Sequence, residues 1–306
     1  MLKRILLAAT ALSAPSLALT LGAERVLRPR LFYNGGWHPD PPDILGLPYE
    51  EAHIFTADGL ELQGWYFPAT RTGGRSTAVA TEARPTILFM HGTSYNASDM
   101  WVTEERSTTF ADFLSGIRAN FLIFDYRGYG KSPGTPSEEN TYTDAAAALA
   151  WLYDHDGVDP ATVFFYGFSL GTGIATGLAM REPSAGLILR APFTSIRAMI
   201  ADWFPRSRPL LAAVPWLPLT NYDTLSKIRR LDRPLLVMHG EADRTVPEYM
   251  GQQIFEAAPE PKTYVSFPDS GHSDIANEMV VPAVTTFIDR VLASREALAA
   301  AESAAG

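Results

Sequence analysis

Gly167-Phe168-Ser169-Leu170-Gly171 follows directly on the apolar run Val163-Phe164-Phe165-Tyr166, and Thr172 to Met180 continues with helix-compatible Ala, Leu and Met. A serine between two glycines, at the end of a buried strand and the start of a helix, has the form of a sharp elbow. The serine takes a strained backbone conformation there, and its hydroxyl projects alone at the carboxyl edge of a sheet. A Cβ at either flanking position would collide with the neighbouring strand or helix. Gly173 extends the small-residue surface where that helix would meet the sheet. A plain Gly/Ser turn is the bland alternative, and the strand before it and the helix after it argue against that.

A serine hydroxyl is a poor nucleophile at neutral pH. It needs a base to take its proton and an anion to orient the base. The downstream sequence offers both, in the order Ser, Asp, His. Pro234-Leu235-Leu236-Val237-Met238 reads as a buried strand running into His239-Gly240-Glu241-Ala242-Asp243, which puts Asp243 in a loop past its carboxyl end. Glu241 and Asp269 are its rivals. Thr263-Tyr264-Val265-Ser266-Phe267 leads into Pro268-Asp269-Ser270-Gly271-His272, so His272 also follows a strand. Of the other histidines, His38 and His53 precede the sheet core and His155 lies in a polar segment. His91 and His239 end strands before glycine, where they are expected to pack beneath the loops of the site.

An acyl-transfer site also needs backbone N–H groups aimed at the oxyanion that develops on an attacked carbonyl. The amide of Leu170, next to the serine, is one candidate. The other belongs to the loop after Thr86-Ile87-Leu88-Phe89-Met90, which reads His91-Gly92-Thr93-Ser94-Tyr95-Asn96; Thr93 is the expected donor.

Strand-like runs at 86–90, 120–124, 162–166, 186–190, 234–238 and 262–267 alternate with helical patterns, of which Thr143 to Tyr153 is the clearest. That alternation predicts an α/β fold with a mostly parallel twisted sheet and helices on both faces. Ligands bind such sheets at the carboxyl ends of the strands, where Ser169, Asp243 and His272 all fall. His53 to Thr56 and Leu60 to Phe67 read as a hairpin around Asp58-Gly59. Residues 31–48 form an irregular lead-in, and Ala69 to Ala83 a loop.

These blocks together resemble an α/β-hydrolase, in particular the membrane-associated branch with a small cap that includes depalmitoylase-like and serine-aminopeptidase-like domains. The resemblance rests on His91-Gly92, Phe124-Asp125-Tyr126-Arg127-Gly128-Tyr129-Gly130-Lys131-Ser132 and the elbow. It continues through Ala191-Pro192-Phe193-Thr194-Ser195-Ile196, the His239 to Asp243 segment with Val246-Pro247, and Gly271-His272. It spans about residues 50–292 and implies the fold and a Ser–Asp–His triad. It does not fix the substrate, because one fold hosts many reactions.

Residues 31–294 make up the expected domain, with a helical cap inserted at about 194–232. The cap carries Met199, Trp203, Phe204, Leu210, Leu211, Val214 and Trp216, which either form its own core or line an apolar pocket. Arg206, Arg208, Arg229 and Arg230 read as solvated. Residues 295–306 form an alanine-rich tail expected to be a fraying helix end. At the other terminus Lys3-Arg4 precedes an uncharged run from Ile5 to Ala23, so residues 1–30 read as a membrane anchor or an export signal. Ser16-Leu17-Ala18 has the small-x-small form of a cleavage site. Pro15 and the following Arg25, Arg28 and Arg30 count against export, and a soluble helix is the third reading.

The 306 residues carry a net charge of −9, with 46% hydrophobic and 19% charged residues. That balance supports one large domain and no nucleic-acid partner. Cysteine is absent, so disulfides, thiolate metal sites and cysteine nucleophiles are excluded. Gly128-Tyr129-Gly130 is too short for a dinucleotide fingerprint and no metal motif is present, so no cofactor and no metal are expected. The Arg127 to Gly130 turn, with Asp125, is expected to brace the floor of the site.

The expected activity is a serine hydrolase of carboxylic esters or thioesters with an apolar acyl part, taking a small-molecule or lipid-like acyl substrate and working through an acyl-serine. An aminopeptidase-like amide hydrolase and a non-catalytic ligand-binding protein are the alternatives. The expected location is membrane-anchored, or exported to the cell envelope.

Overall fold

Eight strands form one sheet in the order β1-β2-β4-β3-β5-β6-β7-β8, in the computed structural model. The model describes residues 32, 41–69, 84–93, 95–101, 104–155, 158–213 and 220–305. The readings of residues 1–30, of the loop from 70 to 83, and of Val214 to Pro218 in the cap lie outside them. Strands β1 (Glu50–Phe55) and β2 (Glu61–Phe67) are the expected hairpin, turning through Gly59 at φ 86°. β2 pairs antiparallel with β4 (Asn120–Phe124), and every later pairing is parallel: β3 (Thr86–Met90), β5 (Val163–Phe168), β6 (Gly186–Arg190), β7 (Leu235–Gly240) and β8 (Lys262–Phe267).

The central strands read as continuous apolar runs because both faces of the sheet are covered. Every residue of β3, β4, β5 and β7 is buried. Helices α1 (Glu104–Ile117), α2 (Glu138–Asp154), α3 (Leu170–Ala179), α4 (Ile196–Trp203), α5 (Arg208–Ala213), α6 (Thr224–Ile228), α7 (Glu248–Ala257) and α8 (Asn277–Ala305) account for the rest. α1 and α8 pack together on one face, over a cluster that includes Phe89, Phe113, Phe164, Tyr166, Phe287 and Ile288. α2, α3, α6 and α7 cover the other, over Leu88, Phe165, Leu149, Ile174, Tyr222 and Ile254. Each such fully buried side chain contributes roughly 1.5–3 kcal/mol relative to exposure. α8 runs unbroken through the alanine-rich tail to Ala305.

Between β6 and β7, in the segment expected to form the cap and called so below, the described residues form α4, a 3-10 turn at Pro205–Ser207, α5 and α6. Ser195 caps α4 by accepting the Ala198 amide at 3.1 Å. Asn221 closes the insertion, taking the Ile196 amide on its carbonyl at 2.7 Å and the Arg197 amide on its side chain at 3.0 Å. Its own amide donates to Glu138 at 2.8 Å, which fastens the returning chain to the start of α2. Burial works to raise the Glu138 pKa, but hydrogen bonds from the 221–222 backbone and the Lys227 ammonium hold it low. Tyr222 then packs against Gly173, where a Cβ would lie 2.7 Å from the Tyr222 Cβ. Gly173 therefore makes room for the chain leaving the cap, where the sequence suggested a contact with the sheet.

Candidate active site

The elbow is built as its sequence implies. β5 runs to Phe168, and Ser169 follows at φ 52°, ψ −117°, a conformation costing a non-glycine residue about 1–3 kcal/mol. Its neighbours hold it there. The Ser169 amide donates to the Arg190 carbonyl at 3.0 Å, and its carbonyl accepts the Thr172 amide at 2.9 Å and the Thr172 hydroxyl at 2.6 Å. The flanking glycines have no room for side chains. A Cβ on Gly167 would lie 2.5 Å from the Gly171 carbonyl oxygen, and one on Gly171 would overlap the Met90 carbonyl oxygen.

The strands bearing Ser169 and His272 are not neighbours. Three strand spacings separate β5 from β8, about 14 Å in the sheet. The loop after β8 must therefore reach back over the ends of β7 and β6. It does so at Gly240, where a Cβ would meet the Ser270 carbonyl and lie 2.5 Å from the Gly271 oxygen. Asp269 makes the turn at φ 58°, and the Gly271 amide donates to Asp274 at 2.5 Å.

The result is a continuous contact chain. His272 Nε2 lies 2.9 Å from Ser169 Oγ, and His272 Nδ1 lies 2.7 Å from Asp243 Oδ2. An ionised carboxylate only accepts, so Nδ1 carries the imidazole proton and the Nε2 lone pair faces the hydroxyl. Asp243 Oδ1 is occupied separately, by the amides of Thr245 at 2.8 Å and Val246 at 2.9 Å. Burial works to raise the Asp243 pKa, but hydrogen bonds from His239, His272 and the Val246 amide outweigh it and hold the carboxyl well below its usual range. The rivals stand apart: Glu241 is exposed and accepts the Ser266 hydroxyl at 3.0 Å, and Asp269 is exposed at the turn.

Leu170 opens α3, at a position whose N–H has no acceptor within the helix. Met90 pairs with Gly167, so the loop after β3 emerges beside the elbow. A Cβ on Gly92 would lie 3.3 Å from the Ser169 Cβ. Thr93 follows, half-buried. The five expected residues are thus gathered at the carboxyl ends of β3, β5, β7 and β8.

Phe168 and Tyr95 escaped the sequence reading as parts of the site, whereas His239 and the Asp125–Arg127 turn were expected beneath it. The Phe168 ring lies 5.1 Å from the His272 ring and forms one wall of the site. The Tyr95 hydroxyl accepts the Gly92 amide at 3.4 Å. His239, wholly buried, donates from Nε2 to the Val246 carbonyl at 2.9 Å, with Asp243 Oδ2 at 3.5 Å; its four-residue spacing from Asp243 was the available signal. Asp125 accepts the Ala97 amide at 2.7 Å, and the Tyr126 hydroxyl donates to the His91 carbonyl at 2.9 Å, so this segment braces the floor. Arg127 is buried between Asp144 on α2 and Asp58 on the hairpin, each with a contact of 2.7 Å.

Trp203 and Phe204 at the end of α4 are 47% and 63% exposed, whereas Met199 is buried. Arg206, Arg208, Arg229 and Arg230 are exposed. Among the described residues no group of His, Asp and Glu is placed to hold a metal ion, and no helix is long and apolar enough to cross a membrane. A groove of about 370 Å³ on β1 and β2, lined by Glu51, His53, Glu61 and Lys131 among others, contains none of the five site residues.

Residues 85–221 match the family model described as the alpha/beta hydrolase fold. An uncharacterized protein of Mycobacterium tuberculosis (strain H37Rv) is 37% identical over 251 residues, covering 80% of this chain and 80% of that protein. Protein bem46 of Schizosaccharomyces pombe is 30% identical over 271 residues, covering 85% of each. Among solved structures, an esterase of Pyrococcus furiosus superposes with a TM-score of 0.61 at 20% identity, over 84% of this chain and 98% of that one. That last likeness speaks to the fold alone. With the elbow, the sheet order and these relatives together, the chain belongs to the α/β-hydrolase fold family.

Proposed function

We propose that this protein is a serine hydrolase that cleaves carboxylic esters or thioesters through an acyl-serine intermediate. The observation that carries the reading is the Ser169–His272–Asp243 contact chain, at 2.9 and 2.7 Å. Ser169 Oγ attacks the substrate carbonyl carbon while its proton passes to His272 Nε2. Asp243 keeps Nδ1 protonated and stabilises the imidazolium. The amides of Leu170 and Thr93 receive the developing oxyanion. The carbonyl then re-forms and expels the leaving group, which takes the proton from His272. A water molecule, deprotonated by the same imidazole, attacks the acyl-serine and releases the acid.

The preference for an apolar acyl part is supported by Phe168 beside His272 and by the aromatic cap. The basic start and the uncharged run at 5–23 support attachment to a membrane as part of the same reading, which fractionation of the full chain tests.

The deciding experiment is a turnover screen over p-nitrophenyl esters of increasing chain length, acyl thioesters and aminoacyl amides, with fluorophosphonate labelling alongside. Ester or thioester turnover that vanishes, with labelling, in Ser169→Ala is the expected result. Labelling retained in Ser169→Ala sinks the assignment of the nucleophile. Turnover confined to the amides transfers the reading to an aminopeptidase-like enzyme. Wild-type protein that binds apolar esters without labelling or turnover is a binding protein.

A further inference from the structure

The last turn of the cap helix α4 reaches across to the loop that carries Asp243. Trp203 Nε1 donates to the Thr245 carbonyl at 3.0 Å, and next to it the Tyr249 hydroxyl on α7 donates to Asp202 Oδ1 at 3.1 Å. The Thr245 carbonyl and the Val246 N–H belong to the same peptide unit. That N–H donates to Asp243 Oδ1 at 2.9 Å, while Asp243 Oδ2 holds His272 at 2.7 Å. A single line of hydrogen bonds therefore runs from the indole through one peptide group, one carboxylate and one imidazole to the Ser169 hydroxyl.

We propose that Trp203 is a positioning residue for the triad: its indole N–H, acting through the Thr245–Val246 peptide, fixes the Asp243 carboxylate against His272. The inference rests on the triad reading above. A donor on a peptide carbonyl polarises that peptide and strengthens the hydrogen bond its N–H makes, by roughly 10–30% per link. It also fixes the peptide plane, and with it the direction of the N–H that locates Oδ1. The next peptide is held from within the fold, where the wholly buried His239 donates from Nε2 to the Val246 carbonyl at 2.9 Å. The indole is the contribution from the cap side. His239 and His272 are the titratable groups facing the Asp243 carboxylate, and Asp202 and Tyr249 those beside the indole. Because the Trp203 side chain is half exposed, removing its donor disturbs the site more than the core.

The test compares full-length wild type with Trp203→Phe and Tyr249→Phe in p-nitrophenyl ester hydrolysis across pH, with fluorophosphonate labelling rates. Trp203→Phe keeps the ring and loses the donor. It is expected to lower kcat about three- to tenfold with KM changed less than about twofold. Weaker donation to Asp243 leaves more charge on the carboxylate facing the imidazolium, so the acid limb of kcat moves to higher pH by a few tenths. Tyr249→Phe cuts the neighbouring clasp but not the line, and stays near wild type in both readouts. Unchanged kcat and acid limb in Trp203→Phe, or the same changes in Tyr249→Phe, overturn the inference while wild-type labelling leaves the triad standing. Wild-type protein that neither labels nor hydrolyses overturns both.

Discussion

The Ser169 amide donates to the carbonyl of Arg190 on β6 at 3.0 Å, so the strand beside the elbow stabilises its strained residue. The strain is thereby borne by the sheet: β6 sits between β5 and β7, and its Arg190–Ala191 end is itself held by the Ala191 amide on the Met238 carbonyl at 2.8 Å. Parallel strands bring their carboxyl ends to one edge, and this cross-bonding keeps the serine level with the acid loop that follows β7.

Gly171→Ala is expected to prevent folding of the elbow. Its Cβ would overlap the Met90 carbonyl oxygen and lie 2.8 Å from that of His91, both backbone atoms that cannot swing aside. Overpacking typically costs about 1–3 kcal/mol, and more where only backbone can yield. Soluble yield and the thermal midpoint, measured against Gly46→Ala as a control with open space around it, check this; Gly46 has its own positive φ of 61°, so the control carries a backbone penalty only.

Gly92→Ala separates the loop proposed to supply the second oxyanion donor from the fold. The new methyl would sit 3.3 Å from both the Ser169 Cβ and the Tyr95 hydroxyl, and 3.4 Å from the Phe168 ring. Those neighbours give way by tenths of an ångström, so stability should change little. Displaced amides lose transition-state contacts worth about 2.7–4 kcal/mol when one donor is removed outright. A kcat lowered about tenfold or more, with a thermal midpoint near wild type, is the expected outcome; steady-state kinetics beside a melt measure it.

Asp243→Asn should lower kcat on the order of 10³–10⁴-fold, since an amide no longer enforces the Nδ1-protonated imidazole. It also removes a pH-dependent part of stability. The Asp243 pKa is depressed in the folded chain relative to its ordinary 3.8, so its contribution is fully present above that value and is lost as pH falls below it toward the folded pKa. The melting difference between wild type and variant should therefore be constant above about pH 5 and shrink below about pH 4. A difference that grows on acidification contradicts the assigned charge state.

Arg127→Ala leaves the Asp144 carboxylate buried without its cation, and breaks the link from α2 to the hairpin at Asp58. Removing one member of a buried pair costs about 3–5 kcal/mol. Urea denaturation should register that loss, and Asp144→Asn with Arg127→Met together should recover part of it. Equal stability of wild type and Arg127→Ala would show that solvent compensates the site.

Local chemistry made much of this protein legible. The elbow glycines, the uniformly apolar strands and the turn residues each impose a geometry on their immediate neighbours; the observed strands β2 to β8 fall within two residues of their expected limits, and β1 begins three residues before the expected His53. The extra turn of α2 before Thr143 had a signal too: Ser137 caps it by accepting the Asn140 amide at 3.2 Å, ahead of Glu138 and Glu139. Gly173 shows where local reading stops. A small residue on a helix says that something approaches closely, but not what, and Tyr222 came from a segment 49 positions along the chain.

The sequence by itself determined which side chains are candidates for the chemistry and at which edge of the sheet they lie, because strand direction and alternation follow from short-range pattern. Only the tertiary structure decided that the loop after β8 crosses two strand ends at Gly240 to bring His272 to Ser169, that Asp243 and not Glu241 meets it, and that Trp203 on the cap joins the same line. Those choices depend on the paths of loops between non-adjacent strands, and a path is fixed by the packing of distant backbone, which no local periodicity encodes.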